Sequence, residues 1–127
     1  MDRYVATEGE EGHDWVRGAP VLILTTLGRR SGKATSTPLI YGRRGGDHLV
    51  VASRGGAPAP PAWYLNLEAN PEVHVQVRGD RFAARARTAA GDEKHELWAI
   101  MTSIWPDYDE YQKITERQIP VVVLERL

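Results

Sequence analysis

Six consecutive residues, Gly28-Arg29-Arg30-Ser31-Gly32-Lys33, gather three cations and two glycines into one short segment. Guanidinium and ammonium groups beside flexible backbone amides are a means of holding phosphates and carboxylates. The segment is not a Walker loop, which needs four residues between its glycines and a Lys-Ser or Lys-Thr pair leading into a helix. Here three residues separate Gly28 from Gly32, Ala34 follows Lys33, and the next element reads as a strand. Two readings stay open on composition alone: an anion nest, or a solvated hairpin loop in which Arg and Lys are common.

Ser53-Arg54-Gly55-Gly56-Ala57 brings a hydroxyl, a guanidinium and two glycines to the end of another apolar run. It lacks the glycine spacing of a dinucleotide fingerprint, and no strand–helix–strand unit surrounds it. A Gly-x-Ser-x-Gly elbow is absent, so a hydrolase serine is unsupported. His13, His48, His74 and His95 are scattered with no pair at metal-ligand spacing, and His48 and His74 fall on strand patterns where surface positions are expected. No metal site is expected. Asp107, Asp109 and Glu110 cluster beside Tyr108 and Tyr111, the pattern of a helix N-terminus stabilised by negative charge. The aromatics Trp63, Tyr64, Trp98, Trp105, Tyr108 and Tyr111 accompany helical patterns in a chain with one phenylalanine. Each joins a flat apolar body to a polar handle, which suits a core edge or a planar ligand.

These residues need a frame, and the frame reads as mainly β with short helices. Pro20 opens the apolar, β-branched run Val21–Leu27, a buried strand. A second strand is expected from Ala34 to Arg43, and Gly45-Gly46-Asp47 turns it into a third, His48–Ser53; three antiparallel strands in succession predict a meander. Three prolines in Arg54–Pro61 lead into a short helix, Ala62–Ala69, which Asn70-Pro71 ends. Val73, Val75 and Val77 alternate with polar residues, and Gly79-Asp80 signals a two-residue hairpin. That turn sets Val77 opposite Phe82, Val75 opposite Ala84, Val73 opposite Ala86, and Glu72 opposite Arg87 as an ion pair. Helices follow at Asp92–Ile104 and Tyr108–Thr115. The closing run Ile119–Leu124 is a strand buried on both faces or one that closes a barrel. Six strands with few helices predict a small closed or half-closed β-barrel.

The 127 residues make one domain, 13–127, behind a polar lead-in, 1–12, with at most a short helix near His13–Arg17. Sixteen Lys and Arg against seventeen Asp and Glu leave a net charge of -1, which excludes a generally basic nucleic-acid binder but permits a local cationic patch. With no cysteine there is no disulfide framework, thiolate metal site or cysteine nucleophile. No run approaches the roughly 20 apolar residues of a membrane span, and Met1–Gly12 lacks a signal peptide's apolar region. A cytoplasmic protein is the expectation.

Taken together the segments resemble the deazaflavin-dependent nitroreductase family, enzymes that use coenzyme F420 on a split β-barrel of the FMN-binding kind. The resemblance is carried by Val21–Thr26 with Gly28–Lys33, by Thr37-Pro38-Leu39, and by Val51-Ala52-Ser53-Arg54-Gly55-Gly56-Ala57. It continues through Pro61-Ala62-Trp63-Tyr64-Leu65-Asn66-Leu67 with Ala69-Asn70-Pro71, then Trp105-Pro106, Tyr108, Tyr111-Gln112 and Ile119-Pro120-Val121-Val122. Order and spacing match from His13 to Glu125, and the Trp-Tyr-Leu-Asn-Leu stretch is the most specific piece.

The resemblance implies that Arg29, Arg30, Ser31, Gly32 and Lys33, continued by Thr35, Ser36 and Thr37, hold the phosphate and acidic oligoglutamate tail of F420. It also implies cofactor contacts at Ala52, Ser53 and Arg54, and at Ala62, Trp63, Tyr64 and Asn66 beside the deazaflavin. The substrate pocket falls to Ile40, Trp105, Tyr108 and Tyr111, with Ser53, Tyr108 and Tyr111 as candidate catalytic hydrogen-bond donors. Thr35 stands where many relatives carry arginine; Ile40 and Trp105 each replace a tyrosine and so reshape the pocket. The implied activity is hydride transfer from F420H2 to a quinone, activated alkene or nitro compound, by a monomer or homodimer. An FMN-dependent split-barrel reductase and a non-catalytic F420 carrier are the rival readings. A relative with an amphipathic N-terminal helix is membrane-associated, but Met1–Gly12 has no apolar face to share that property.

Overall fold

The computed structural model describes residues 19–127, so the lead-in 1–12 and the helix expected near His13–Arg17 lie outside the described residues. Seven strands form one antiparallel sheet: β1 Val21–Leu27, β2 Ala34–Ile40, β3 Gly42–Arg44, β4 Asp47–Val51, β5 Glu72–Val77, β6 Asp80–Thr88 and β7 Val121–Arg126. Their order across the sheet is β2-β1-β5-β6-β7-β4-β3. Helix α1 is Ala62–Ala69, α2 is Gly91–Ile104 and α3 is Asp107–Lys113, and a 3-10 turn occupies Arg54–Gly56. No described helix is long and apolar enough to cross a membrane.

The expected meander is not formed. The long second strand, Ala34 to Arg43, breaks at Tyr41 into β2 and β3, which lie at opposite edges of the sheet. Ile40 and Gly42 are two Cα steps apart, at most about 7 Å. The two edges must therefore meet, and the sheet must roll into a barrel. The Tyr41 amide completes the corner by donating to the Pro20 carbonyl at 3.1 Å.

The β5–β6 hairpin forms with its partners shifted by two residues from expectation. Val75 faces Phe82, Val73 faces Ala84, Glu72 faces Arg85, and Val77 faces Asp80 across an Arg78-Gly79 turn in which Arg78 takes φ 53°. Asp80 belongs to the strand, and both its carboxylate oxygens accept from Arg126, at 2.9 and 3.2 Å. Side chains alternate with period two, so a two-residue shift keeps each side chain on its face while changing every partner. The Glu72–Arg87 pair is lost, and Arg87 instead meets Glu93 at 2.6 Å and Glu125 at 3.4 Å.

Two cores result. Leu22, Leu24, Val50, Trp63, Tyr64, Val73, Val75 and Phe82 fill the barrel with Val122 and Leu124. Outside it, Leu97 and Met101 of α2 and Tyr108 of α3 cover Leu49, Val51, Val121 and Val123. Strand β7 is thus buried on both faces in the middle of the sheet, the first of its two expected alternatives. His48 is also inside: it is 6% exposed, between the rings of Tyr41 at 5.6 Å and Phe82 at 5.2 Å. A surface position was expected, but β4 is buried on both faces, and His48 shares the barrel-facing side with Val50.

Candidate active site

The cationic segment is the tight loop between β1 and β2. Gly28 N–H donates to the Lys33 carbonyl and Gly32 N–H to the Gly28 carbonyl, both at 2.8 Å, and Ser31 Oγ accepts from the Lys33 amide at 3.2 Å. Arg29, Arg30 and Lys33 are exposed. Arg29 is nevertheless anchored: its backbone amide and guanidinium both donate to Asn66 Oδ1, at 3.1 and 3.0 Å. Asn66 Nδ2 in turn donates to the buried Thr26 hydroxyl at 3.3 Å. Arg30 and Lys33 make no ion pair among the described residues and are free to meet an anion.

Asn66 lies three residues beyond Trp63 on α1, a rise of about 4.5 Å. Trp63 reaches a cleft of about 360 Å³ at the other end of that helix turn. Its walls are the end of β2 (Pro38, Leu39, Ile40), the segment Ser53-Arg54-Gly55, and Trp105, Tyr108 and Tyr111 around α3. The spacing of three between the two tyrosines puts both on this wall, with ring centroids 6.1 Å apart and edge-on.

The hydroxyls in this cleft have capacity to spare. Ser53 and Tyr108 are buried, at 8% and 5% exposure, and neither hydroxyl is hydrogen-bonded among the described residues. The Tyr111 hydroxyl accepts from Trp105 Nε1 at 3.4 Å, which leaves its own proton to donate. Burial, aided by Tyr111, pushes the Tyr108 phenol well above its ordinary value of 10. It therefore remains a neutral donor across the physiological range. A wall of aromatic faces with unspent donors beside it fits a planar ring system bearing carbonyl oxygens.

Other residues implicated by the sequence lie elsewhere. Tyr64 points into the barrel core, its hydroxyl 2.9 Å from that of Thr88. Ser36 bonds Thr25 at 2.7 Å and joins Ile23, His74 and Arg81 around a hollow on the outer sheet face. Thr35 and Thr37 sit on β2 opposite Thr26 and Leu24. Ala52 is fully buried in the barrel, and Ala62 is the exposed first residue of α1.

Arg117 was absent from the sequence reading. Its guanidinium donates to the carbonyls of Ala57 at 2.8 Å, Ser53 at 2.8 Å and Ala52 at 3.3 Å. Gln112 fastens the same region by donating to the Arg117 carbonyl and accepting from the Ile119 amide, both at 2.9 Å. Nothing local in Thr115-Glu116-Arg117-Gln118 marks this role, because the acceptors lie about sixty residues earlier in the chain.

Fold and site together define a class: a small rolled barrel whose aromatic cleft stands next to a cationic loop, suited to an extended cofactor with a planar head and an anionic tail. The chain belongs to the F420H(2)-dependent quinone reductase family, which it matches over residues 1–126. It is 40% identical over 126 residues to an F420H(2)-dependent quinone reductase of Mycobacterium tuberculosis strain H37Rv, covering 97% of this chain and 85% of the relative. Among solved structures it resembles an F420-H2 dependent reductase at 39% identity and TM-score 0.78, covering 84% of this chain and 94% of that one. A second structure, described as a domain-swapped dimer, matches at 35% identity and TM-score 0.80 over 98% of this chain and 93% of that one. The protein is an F420-dependent oxidoreductase, consistent with hydride transfer to a quinone.

Proposed function

We propose that the aromatic cleft takes the deazaflavin ring and a quinone together, while Arg30 and Lys33, aided by Arg29, take the cofactor's phosphate and acidic tail. Bound F420H2 supplies the hydride, and a proton completes the quinol. The chain's own groups orient and stabilise. Trp63 and Trp105 line the cleft with aromatic surface suited to planar rings, and its apolar walls exclude water. Ser53, Tyr108 and Tyr111 donate hydrogen bonds to the acceptor oxygen as it gains negative charge. The raised pKa of Tyr108 suits it to donate without losing its proton.

The observation that carries this reading is the Arg29–Asn66 tie. It fixes the cationic loop to the helix whose Trp63 lines the cleft, so one elongated ligand reaches both. Fluorescence titration with F420, FMN and the deazaflavin chromophore stripped of phosphate and glutamates is the test. F420 should bind tightest, and the Arg30→Ala, Lys33→Ala double variant should erase most of its advantage over the stripped chromophore. FMN affinity equal to that of F420 would overturn the assignment. The domain-swapped relative makes a homodimer the assembly to look for by light scattering.

A further inference from the structure

The segment Ala52–Ala57 is held in a conformation its residues do not favour. Arg54, Gly55 and Gly56 take φ of 47°, 62° and 82°, in succession after Ser53 in the right-handed region. Two of the three are glycines, but Arg54 has a Cβ and opposes this conformation. Only two backbone bonds brace the turn internally, Gly56 N–H to Ser53 O at 2.9 Å and Ala57 N–H to Arg54 O at 3.1 Å.

Arg117 supplies a further restraint, and its position has a directional consequence. Peptide groups are planar and trans, so an N–H points opposite to the carbonyl of the same peptide group. The Ala52 and Ser53 carbonyls point at Arg117. The N–H groups of Ser53 and Arg54 therefore point the other way. Ser53, Arg54 and Gly55 wall the cleft, whereas Arg117 does not line it. Neither amide is hydrogen-bonded among the described residues. A right-handed residue followed by a left-handed one turns successive amides toward one point, the arrangement that receives an anionic oxygen. A cation on the carbonyl end of a peptide also polarises it, which strengthens its N–H as a donor.

We infer that Arg117 is a positioning residue: from behind the cleft wall it aims and polarises the Ser53 and Arg54 amides as a donor pair for a carbonyl oxygen that gains negative charge during reduction. The inference rests on the cleft being the redox site. The oxygen is the quinone's, which gains charge as the hydride arrives; the deazaflavin carbonyls lose charge as F420H2 gives its hydride up.

The test uses the full chain as wild type, Arg117→Gln, Arg117→Lys and Arg87→Gln. Arg87 pairs with Glu93 and Glu125 and does not line the cleft, so it serves as a control for loss of a bonded guanidinium. With menadione as acceptor, Arg117→Gln should lower kcat/KM by about tenfold or more, and Arg117→Lys should recover part of the loss. Arg87→Gln should lower Tm while leaving kcat/KM unchanged. In 1H–15N spectra of the wild type, the Ser53 and Arg54 amides should shift when the oxygen binds, and this response should shrink in Arg117→Gln. A shift that appears only after menadione is added supports the inference; a shift complete with F420 alone overturns it. Wild-type kcat/KM in Arg117→Gln overturns the inference, as does a loss that follows Tm equally in Arg87→Gln. Absence of any ligand response at Trp63, Tyr108 and Ser53 in the wild type would instead refute the cleft itself.

Discussion

The loop Gly28–Lys33 and the turn Ala52–Ala57 are both glycine-rich, both carry arginine, and both follow a buried strand, yet they are built in opposite ways. The first is supported chiefly by its own backbone and presents its cations to solvent, with nothing within 4 Å of a Cβ placed on Gly32. The second is packed and clamped: a Cβ on Gly56 would lie 2.6 Å from the Ile114 side chain and 2.7 Å from the Tyr111 carbonyl, and Arg117 grips it from behind. An exposed loop can hold a flexible charged tail by electrostatics alone. A surface that meets reacting atoms needs fixed geometry, and fixed geometry needs contacts from distant parts of the chain.

The contrast breaks first at the glycines. Gly56→Ala should cost about 2–4 kcal/mol, combining a left-handed alanine with overpacking against α3. Urea midpoints measure it, and activity should fall with it because Tyr111 is displaced. A loss no larger than that at Gly32 would show the turn to be as free as the loop. Among the cleft hydroxyls, Tyr108→Phe should reduce kcat/KM for menadione by roughly 10- to 100-fold, with F420 affinity and Tm nearly unchanged, since only a donor to developing charge is removed. Full activity in both Tyr108→Phe and Tyr111→Phe would deny the hydroxyls a catalytic role.

On the loop side, Arg30→Ala should weaken F420 binding by about 1.5–3 kcal/mol without changing kcat at saturation, and the effect should shrink in high salt. A collapsed kcat with intact affinity would place Arg30 in the chemistry instead. Gly32→Ala, at φ 70° in open space, should cost only about 1 kcal/mol, read again from the urea midpoint.

The smallest effect lies away from both segments. Burial, with the nearby Arg43 cation, holds the His48 imidazole below its usual 6.5. The folded barrel keeps it neutral while the unfolded chain protonates it, so stability is intact above pH 6.5 and falls as pH drops below that value. Glu93, held at about 2 chiefly by its hydrogen bonds to Arg87 and Arg44, keeps its own contribution until pH falls below about 4.5. Urea midpoints between pH 7 and 5.5 thus isolate His48, and the slope should vanish in His48→Leu.

Periodicity and turn chemistry located the helices to within a residue or two and β1 to the residue, because alternation, prolines and the Asn70-Pro71 stop act locally. The hairpin's faces were legible for the same reason, but its register was not: a shift of two leaves each side chain on its face, and the turn falls at Arg78-Gly79 with Arg78 at φ 53°, a conformation that arginine does not announce. The meander failed for a related reason. Gly42 follows Tyr41 in the run Ala34 to Arg43, but a glycine inside a strand pattern does not by itself specify a corner, and the need for the sheet to close on itself requires one there.

Within the site, the residue types were readable and their division of labour was not. Three cations and two glycines within six residues announce an anion-holding loop by composition, and tyrosines three apart on a short helix announce a shared face by spacing. These are properties of neighbouring residues, so the amino-acid order alone determined them. That Arg29 is anchored to Asn66, that Tyr64 serves the core, and that Arg117 grips the cleft wall depend on residues 24 to 65 positions apart. Such partners come together only when the rolled sheet brings its edges and connecting segments into one place. A side chain's hydrogen-bond partner is a matter of distance in space, and distance in space was decided by the tertiary fold.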